Sequence, residues 1–208
     1  MANTTYKGTL RSEGGYSSIA TNSTTGAETT QMSISTAGVA SLDANKMSTE
    51  AGTGITGGTG TIYKSSVLRT GGVIKTEILI DLTGLRSTGS GDIIGVDGTS
   101  NVCHIGQITA ARNGTILAGR MTCLEAPAGG DPDINVHSAT EGTGVEDGAI
   151  GDLTETSLVD AGDSTLGSVD IFTAVPAADQ YLYLTLGSAT DADYTAGKLL
   201  IELWGYEA

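Results

Sequence analysis

The sequence predicts an all-β protein: an antiparallel β-sandwich or jelly-roll-like body over residues 59–208, preceded by an extended N-terminal arm over residues 1–58. Three observations predict it. Strong helix formers such as Lys, Arg and Glu are scarce while Gly, Thr, Val and Ile abound, and 31 Gly against 3 Pro call for many tight turns. From Thr61 onward, apolar runs of strand length are separated by Gly, Asp and Pro clusters. No amphipathic pattern exceeds two helical turns. A folded chain of 208 residues removes roughly 70% of its unfolded surface from water, so such a body needs neither a disulfide nor a metal to stay folded.

Residues 1–58 read as an arm because residues 22–36 are Thr-, Ser- and Gly-rich and residues 51–60 run AGTGITGGTG, which buries little apolar surface. Their apolar side chains form short strand-like pieces expected to gain order by lying on a partner. Tyr6, Leu10, Tyr16, Ile19, Ile34 and Leu42 are the candidate interface residues. The body then unfolds in order. Residues 73–82 alternate, with Ile74, Thr76, Ile78, Ile80 and Leu82 on one face and Val73, Lys75, Glu77, Leu79 and Asp81 on the other. Residues 61–69 precede them across Thr70-Gly71-Gly72, which reads as a hairpin. Residues 102–112 and 115–125 flank Asn113-Gly114, a second hairpin signal that would place Gln107 opposite Arg120, Cys103 opposite Leu124 and Cys123 opposite His104. Further strands are predicted at 134–137, 168–173, 180–187 and 198–206, with a short helix within 148–158.

That second register bears on the two cysteines. Side chains alternate across a pleat, so Cys103 and Cys123 would point to opposite faces, and a bridge between them would need a bulge or a longer loop. Both read as buried free thiols, and His104 as a buried structural histidine.

Charge restricts the partners. The formal balance is −14, from 10 basic and 24 acidic residues. Residues 1–120 carry 9 basic and 8 acidic side chains, whereas residues 121–208 carry 1 and 16. An acidic body repels phosphate backbones, so no nucleic-acid partner is expected. The longest apolar runs, such as Ile78-Leu79-Ile80, fall far short of the roughly 20 residues a spanning helix needs, and the first residues lack a signal peptide's apolar stretch. The expectation is a chain made in a cytoplasm with no membrane partner.

Motifs for chemistry are weak. Gly52-Thr53-Gly54-Ile55-Thr56-Gly57 fits G-x-G-x-x-G with Glu77 at the distance of a ribose acid, but a β-like run follows where a helix is required. Asp131-Pro132-Asp133-Ile134-Asn135 resembles the start of a Ca²⁺ loop, yet Val136 stands in place of the glycine and no closing Glu follows. It reads as a turn; weak Ca²⁺ or Mg²⁺ binding by the acidic loops is the alternative. Only two histidines occur, and neither G-x-S-x-G nor H-E-x-x-H is present. No catalytic, cofactor-binding or metal-ligating residue is therefore assigned, and the chain is expected not to be an enzyme. The aromatic residues are a different matter. Leu182, Leu184 and Leu186 share one strand face, as do Leu199, Ile201 and Leu203, which leaves Tyr181, Tyr183, Trp204 and Tyr206 on opposite faces as candidates for a glycan or a subunit contact. The alternative is that they fill a second core face.

The strings GGVIKTEILIDLTGL (71–85), NGTILAGRMTCLEAPAGGDPDI (113–134), GVEDGAI (144–150), QYLYL (180–184) and YTAGKLLIELWG (194–205) resemble virion proteins of marine tailed bacteriophages that decorate or cement the head. The resemblance covers about two thirds of the chain and carries no catalytic motif. It implies a β-sandwich on the outer capsid surface, commonly a homotrimer, whose N-terminal arm clamps onto the major capsid protein. The rival reading is a tail-fibre or adhesin module that binds host-surface glycan, since phrases such as ISTAGVASL also suit fibre segments.

Overall fold

A computed structural model describes residues 16–21, 28–34, 40–42 and 46–207. The chain divides into two units, residues 1–46 and 47–208. In the first, β1 (Tyr16–Thr21), β2 (Glu28–Ile34) and β3 (Ala40–Leu42) form an antiparallel sheet in that order. Short Thr/Ser-rich pieces thus pair with one another.

The second unit is an all-β sandwich-like body. Its first segment contains α1 (Thr53–Thr56), a single helical turn. Then come β4 (Ile62–Thr70), β5 (Val73–Asp81), β6 (Arg86–Ser87), the short α2 (Ala110–Asn113) and β7 (Thr115–Ala128). After these follow β8 (Ile134–Ala139), a 3₁₀ turn (Ile150–Asp152), β9 (Glu155–Val159) and β10 (Val169–Ile171). The chain ends with β11 (Tyr181–Leu186), β12 (Ala192–Asp193) and β13 (Ala196–Tyr206). A five-stranded antiparallel sheet has the order β10-β7-β13-β5-β4, and a three-stranded one the order β11-β8-β9. Ile74, Ile78, Ile80, Leu199, Ile201 and Leu203 from the first sheet share one hydrophobic core with Ile134, Val136, Leu182 and Leu184 from the second. Among the described residues, no helix is long and apolar enough to cross a membrane.

The β4–β5 hairpin forms as its alternation predicts, closed by Gly71 and Gly72, both at positive φ between the paired Thr70 and Val73. The short helix expected within 148–158 is the 3₁₀ turn. Two expectations are corrected. The first is the body's boundary. The compact unit starts at Met47, and the AGTGITGGTG stretch belongs to it: Ile55 is fully buried, and the Gly52 and Gly54 N–H groups donate to the carbonyls of His104 and Val102 at 2.9 Å each. Glycine is required there, since a Cβ on Gly54 would sit 2.4 Å from Cys103 Sγ.

The second correction is the hairpin at Asn113-Gly114, which does not form. Asn113 ends α2 and is fully buried; its Oδ1 accepts the Thr109 N–H at 2.9 Å, and its Nδ2 donates to Thr76 Oγ1 at 2.9 Å. Gly114 uses its positive φ to leave the helix, not to reverse a ribbon. Residues 102–109 lie along β11 instead, with Ile105 N–H donating to Leu182 and Leu182 N–H to Gly106. β7 pairs with β13, so Arg120 stands opposite Glu202, and Gln107 opposite Thr49 and Tyr181. Cys103 and Cys123 are nevertheless both buried and free.

Candidate interaction surface

Catalytic chemistry finds no constellation among the described residues. His104 is buried beside Tyr181, with ring centroids 5.0 Å apart, and its Nδ1 has no hydrogen-bond partner. Burial holds its imidazole below the ordinary value. His137 Nδ1 instead lies 2.9 Å from Glu155 Oε2. Burial pushes the Cys103 thiol up to about 12 and the Cys123 thiol in the same direction, the reverse of what a nucleophile needs. The G-x-G-x-x-G stretch spends its first two glycine N–H groups on residues 102–104, and α1 is one turn long. Asp131 Oδ1 accepts the Asp133 N–H at 2.9 Å and Oδ2 binds the Ser188 hydroxyl, which makes this loop a turn. Among the described residues, no three His, Cys, Asp or Glu converge to hold a metal ion.

The structure separates the candidate aromatics. Tyr183 is fully buried: its hydroxyl donates to the Glu141 carbonyl at 2.7 Å and accepts the Gly144 N–H at 3.2 Å. It fills the second core face and is corrected as a glycan contact. Tyr181 packs against the core. Trp204 and Tyr206 lie together on β13 and face outward from the five-stranded sheet. In the leading unit, Tyr16 and Ile19 are on β1, Ile34 on β2 and Leu42 on β3, with Tyr16 the register partner of Ile34 and Leu42 that of Met32. Tyr6 and Leu10 lie outside the described residues.

What the fold assembles is the outer face of the five-stranded sheet. Alternation on β13 sends Leu199, Ile201 and Leu203 into the core and Lys198, Leu200, Glu202, Trp204 and Tyr206 outward. The registers then set Arg120 and Glu77 on either side of Glu202, and Thr122 and Leu79 on either side of Leu200. Glu202 is only 2% exposed. Lys75 Nζ donates to it at 2.6 Å, Arg120 Nε also donates to it, and Lys75 reaches Glu77 at 2.7 Å. Burial alone would raise the Glu202 carboxyl; the hydrogen bonds from Arg120 and Lys75 outweigh it and hold the group below the usual range. Both cations also sit over the Trp204 ring, Lys75 Nζ at 5.8 Å and Arg120 Cζ at 5.3 Å from its centroid. At the other end, Lys198 pairs with Asp81 at 3.2 Å and with Glu125.

Between the two ion groups runs an apolar band. Leu79, Leu124 and Leu200 line a depression of about 450 Å³ bordered by Lys64, Ser66 and Glu77. Of the ten large apolar side chains exposed among the described residues, eight belong to this face or its rim: Ile62, Leu68, Val73, Leu124, Leu166, Val169, Ile171 and Tyr206. Exposed apolar patches of this breadth mark contact surfaces.

Charge singles out the same face. Residues 47–208 carry 21 acidic and 7 basic side chains, so the whole balance of −14 lies in the body, while residues 1–46 carry 3 of each. Four of the seven cations, Lys64, Lys75, Arg120 and Lys198, share the sheet face with four acids, Glu77, Asp81, Glu125 and Glu202. The face is neutral; the remaining 17 acids and 3 cations lie elsewhere on the body. Sequence reasoning singled out Trp204 and Tyr206 but missed that Lys75 and Arg120 converge on Glu202 beside them. The signal was present in a carboxylate flanked by Ile201 and Leu203 in an apolar strand, which calls for cations on the neighbouring strands.

Comparison with protein-family models, with curated proteins and with solved structures finds no match.

Proposed function

We propose that this chain is a non-enzymatic virion structural protein that decorates and stabilises the outer surface of a phage capsid through its N-terminal unit. Its partners are the major capsid protein and further copies of itself. The observation that carries this reading is the division of charge between a neutral residue 1–46 unit and a body holding the entire −14. A neutral unit rich in Thr and Ser, with short strands of its own, suits strand addition to a neighbouring shell protein, and many copies on one particle bind cooperatively through their number. A protein that binds only the assembled shell stabilises that shell by mass action. The acidic body projects outward and keeps particles apart.

Cosedimentation with purified expanded heads tests this. The full chain is expected to pellet with heads at near-stoichiometric copy number, and a chain lacking residues 1–46 to stay folded and remain in the supernatant. The cut belongs at 46, because Met47 lies in the core and Glu50 accepts the Ser65 hydroxyl at 2.7 Å. Head binding by the truncated chain overturns the reading. Binding to host cells or a sugar array, with none to heads, replaces it with the adhesin.

A further inference from the structure

We infer that the outer face of the five-stranded sheet binds a second copy of this chain, face against face, about a two-fold axis running along the strands above β13. This goes beyond head decoration and does not depend on it.

Charge selects the occupant. Two bodies of −14 each repel wherever their acidic loops meet, and the sheet face, with four cations and four acids, is the broad surface on which they approach at no net charge. Seven of its eight ions are already paired within the face, Lys75 with Glu77 and Glu202, Arg120 with Glu202, and Lys198 with Asp81 and Glu125. Covering those groups strands none of them, and the eighth, Lys64 on the edge strand β4, has a flexible stem long enough to keep its ammonium in water. Area agrees. Four strands of about nine residues at ~4.8 Å spacing and ~3.3 Å rise, with the three residues of β10 on their edge, give a flat face of roughly 600 Å², about three quarters of the ~800 Å² per partner of a standard complex before side-chain relief is counted.

Topology supplies the complementarity. β13 is the central strand of β10-β7-β13-β5-β4, so rotation about an axis along it lays β7 of each copy over β5 of the other, and β10 over β4. Heights along the strands are kept. Arg120 then faces the partner copy's Glu77 row, twice by symmetry, and the protruding Val169 and Ile171 of β10 meet the depression beside Lys64, Leu79 and Leu200. Glu125 and Asp81 also come to the same height, each paired with its own Lys198. Face-packed sheets with nearly aligned strands are a standard solution for such surfaces. The contact pairs two copies, unlike the ring of three that the resemblance implies.

Sedimentation equilibrium on the full chain, over a hundredfold range of concentration, is the test. The expected result is a monomer–dimer equilibrium that strengthens with added salt, because salt screens repulsion between the acidic bodies while the paired face loses little. I171E and L124E, both at exposed side chains, are each expected to weaken it about tenfold or more, since each new charge enters the contact twice. V175E adds the same charge at an exposed site off this face and is expected to leave it unchanged. Circular dichroism and Trp204 emission confirm that each variant is folded. A wild-type monomer throughout, a trimer, or a dimer that I171E and L124E leave intact or that V175E weakens equally overturns the inference. A monomer that still cosediments with heads overturns it alone and leaves the decoration reading standing.

Discussion

Replacing Asn113 by Ala should reveal how the body closes around α2. In the structure the Asn113 carboxamide joins two buried groups, the Thr109 N–H at its Oδ1 and the Thr76 hydroxyl at its Nδ2. Thr76 is 1% exposed among the isoleucines of β5, so water cannot take over its hydrogen bond. Each hydrogen bond contributes about 1 kcal/mol net, and a buried donor left without a partner costs about 1–3 kcal/mol, so the loss on N113A should be about 2–4 kcal/mol. Urea unfolding followed by the emission of the single Trp204 reads this as a drop in midpoint of about 1 M, with the slope unchanged. T76V alone strands the carboxamide, whereas the N113A/T76V pair removes both partners, so the double variant should recover about 1 kcal/mol relative to the sum of the singles. A hairpin turn at Asn113-Gly114 would show no such coupling. A loss below about 0.5 kcal/mol for N113A, or strict additivity with T76V, refutes the reasoning.

Stability should also fall in mild acid. Burial keeps folded His104 neutral, while the unfolded chain takes up a proton near pH 6.5, so folding stability is full above that value and declines as pH drops below it; H104Q should flatten the decline in urea midpoints between about pH 7 and 5. In stronger acid the Glu202 pairs add a second loss, since a carboxyl held low stabilises the fold above its unfolded pKa and stops doing so as pH falls through its folded one. Both cysteines should resist a thiol reagent in the native protein and react as two thiols per chain once unfolded, and unreduced protein should show the mass of two free thiols. Y183F should lower stability by about 1–2 kcal/mol through the stranded Gly144 N–H, read by the same urea titration, and leave head binding unchanged.

How far the sequence discloses the fold depends on whether a signal is local. Residues 73–81 carry their whole instruction in their own alternation, and two glycines free to take positive φ close the turn, so β4 and β5 are legible to within one residue at each end. Asn113-Gly114 carries the same local preference, but the tertiary partner Thr76 diverts it to a helix end. β9 stayed hidden because Glu155, Thr156 and Ser157 are all exposed and only Leu158 and Val159 are buried, which leaves no alternation to read. The sheet face was half legible. Alternation placed Lys75, Glu77 and Leu79 together and Glu202 with Trp204, yet nothing local says that β13 lies between β5 and β7. That neighbour order, set by long-range packing, is what brings Arg120 and Lys75 to one carboxylate.

A reconstruction of purified heads saturated with this protein tests the central claim most directly. The decoration account predicts β-sandwich density outside the shell at regular positions, with residues 1–46 touching the major capsid protein and the acidic loops facing solvent. Undecorated heads, or density for the protein confined to the tail, would contradict it.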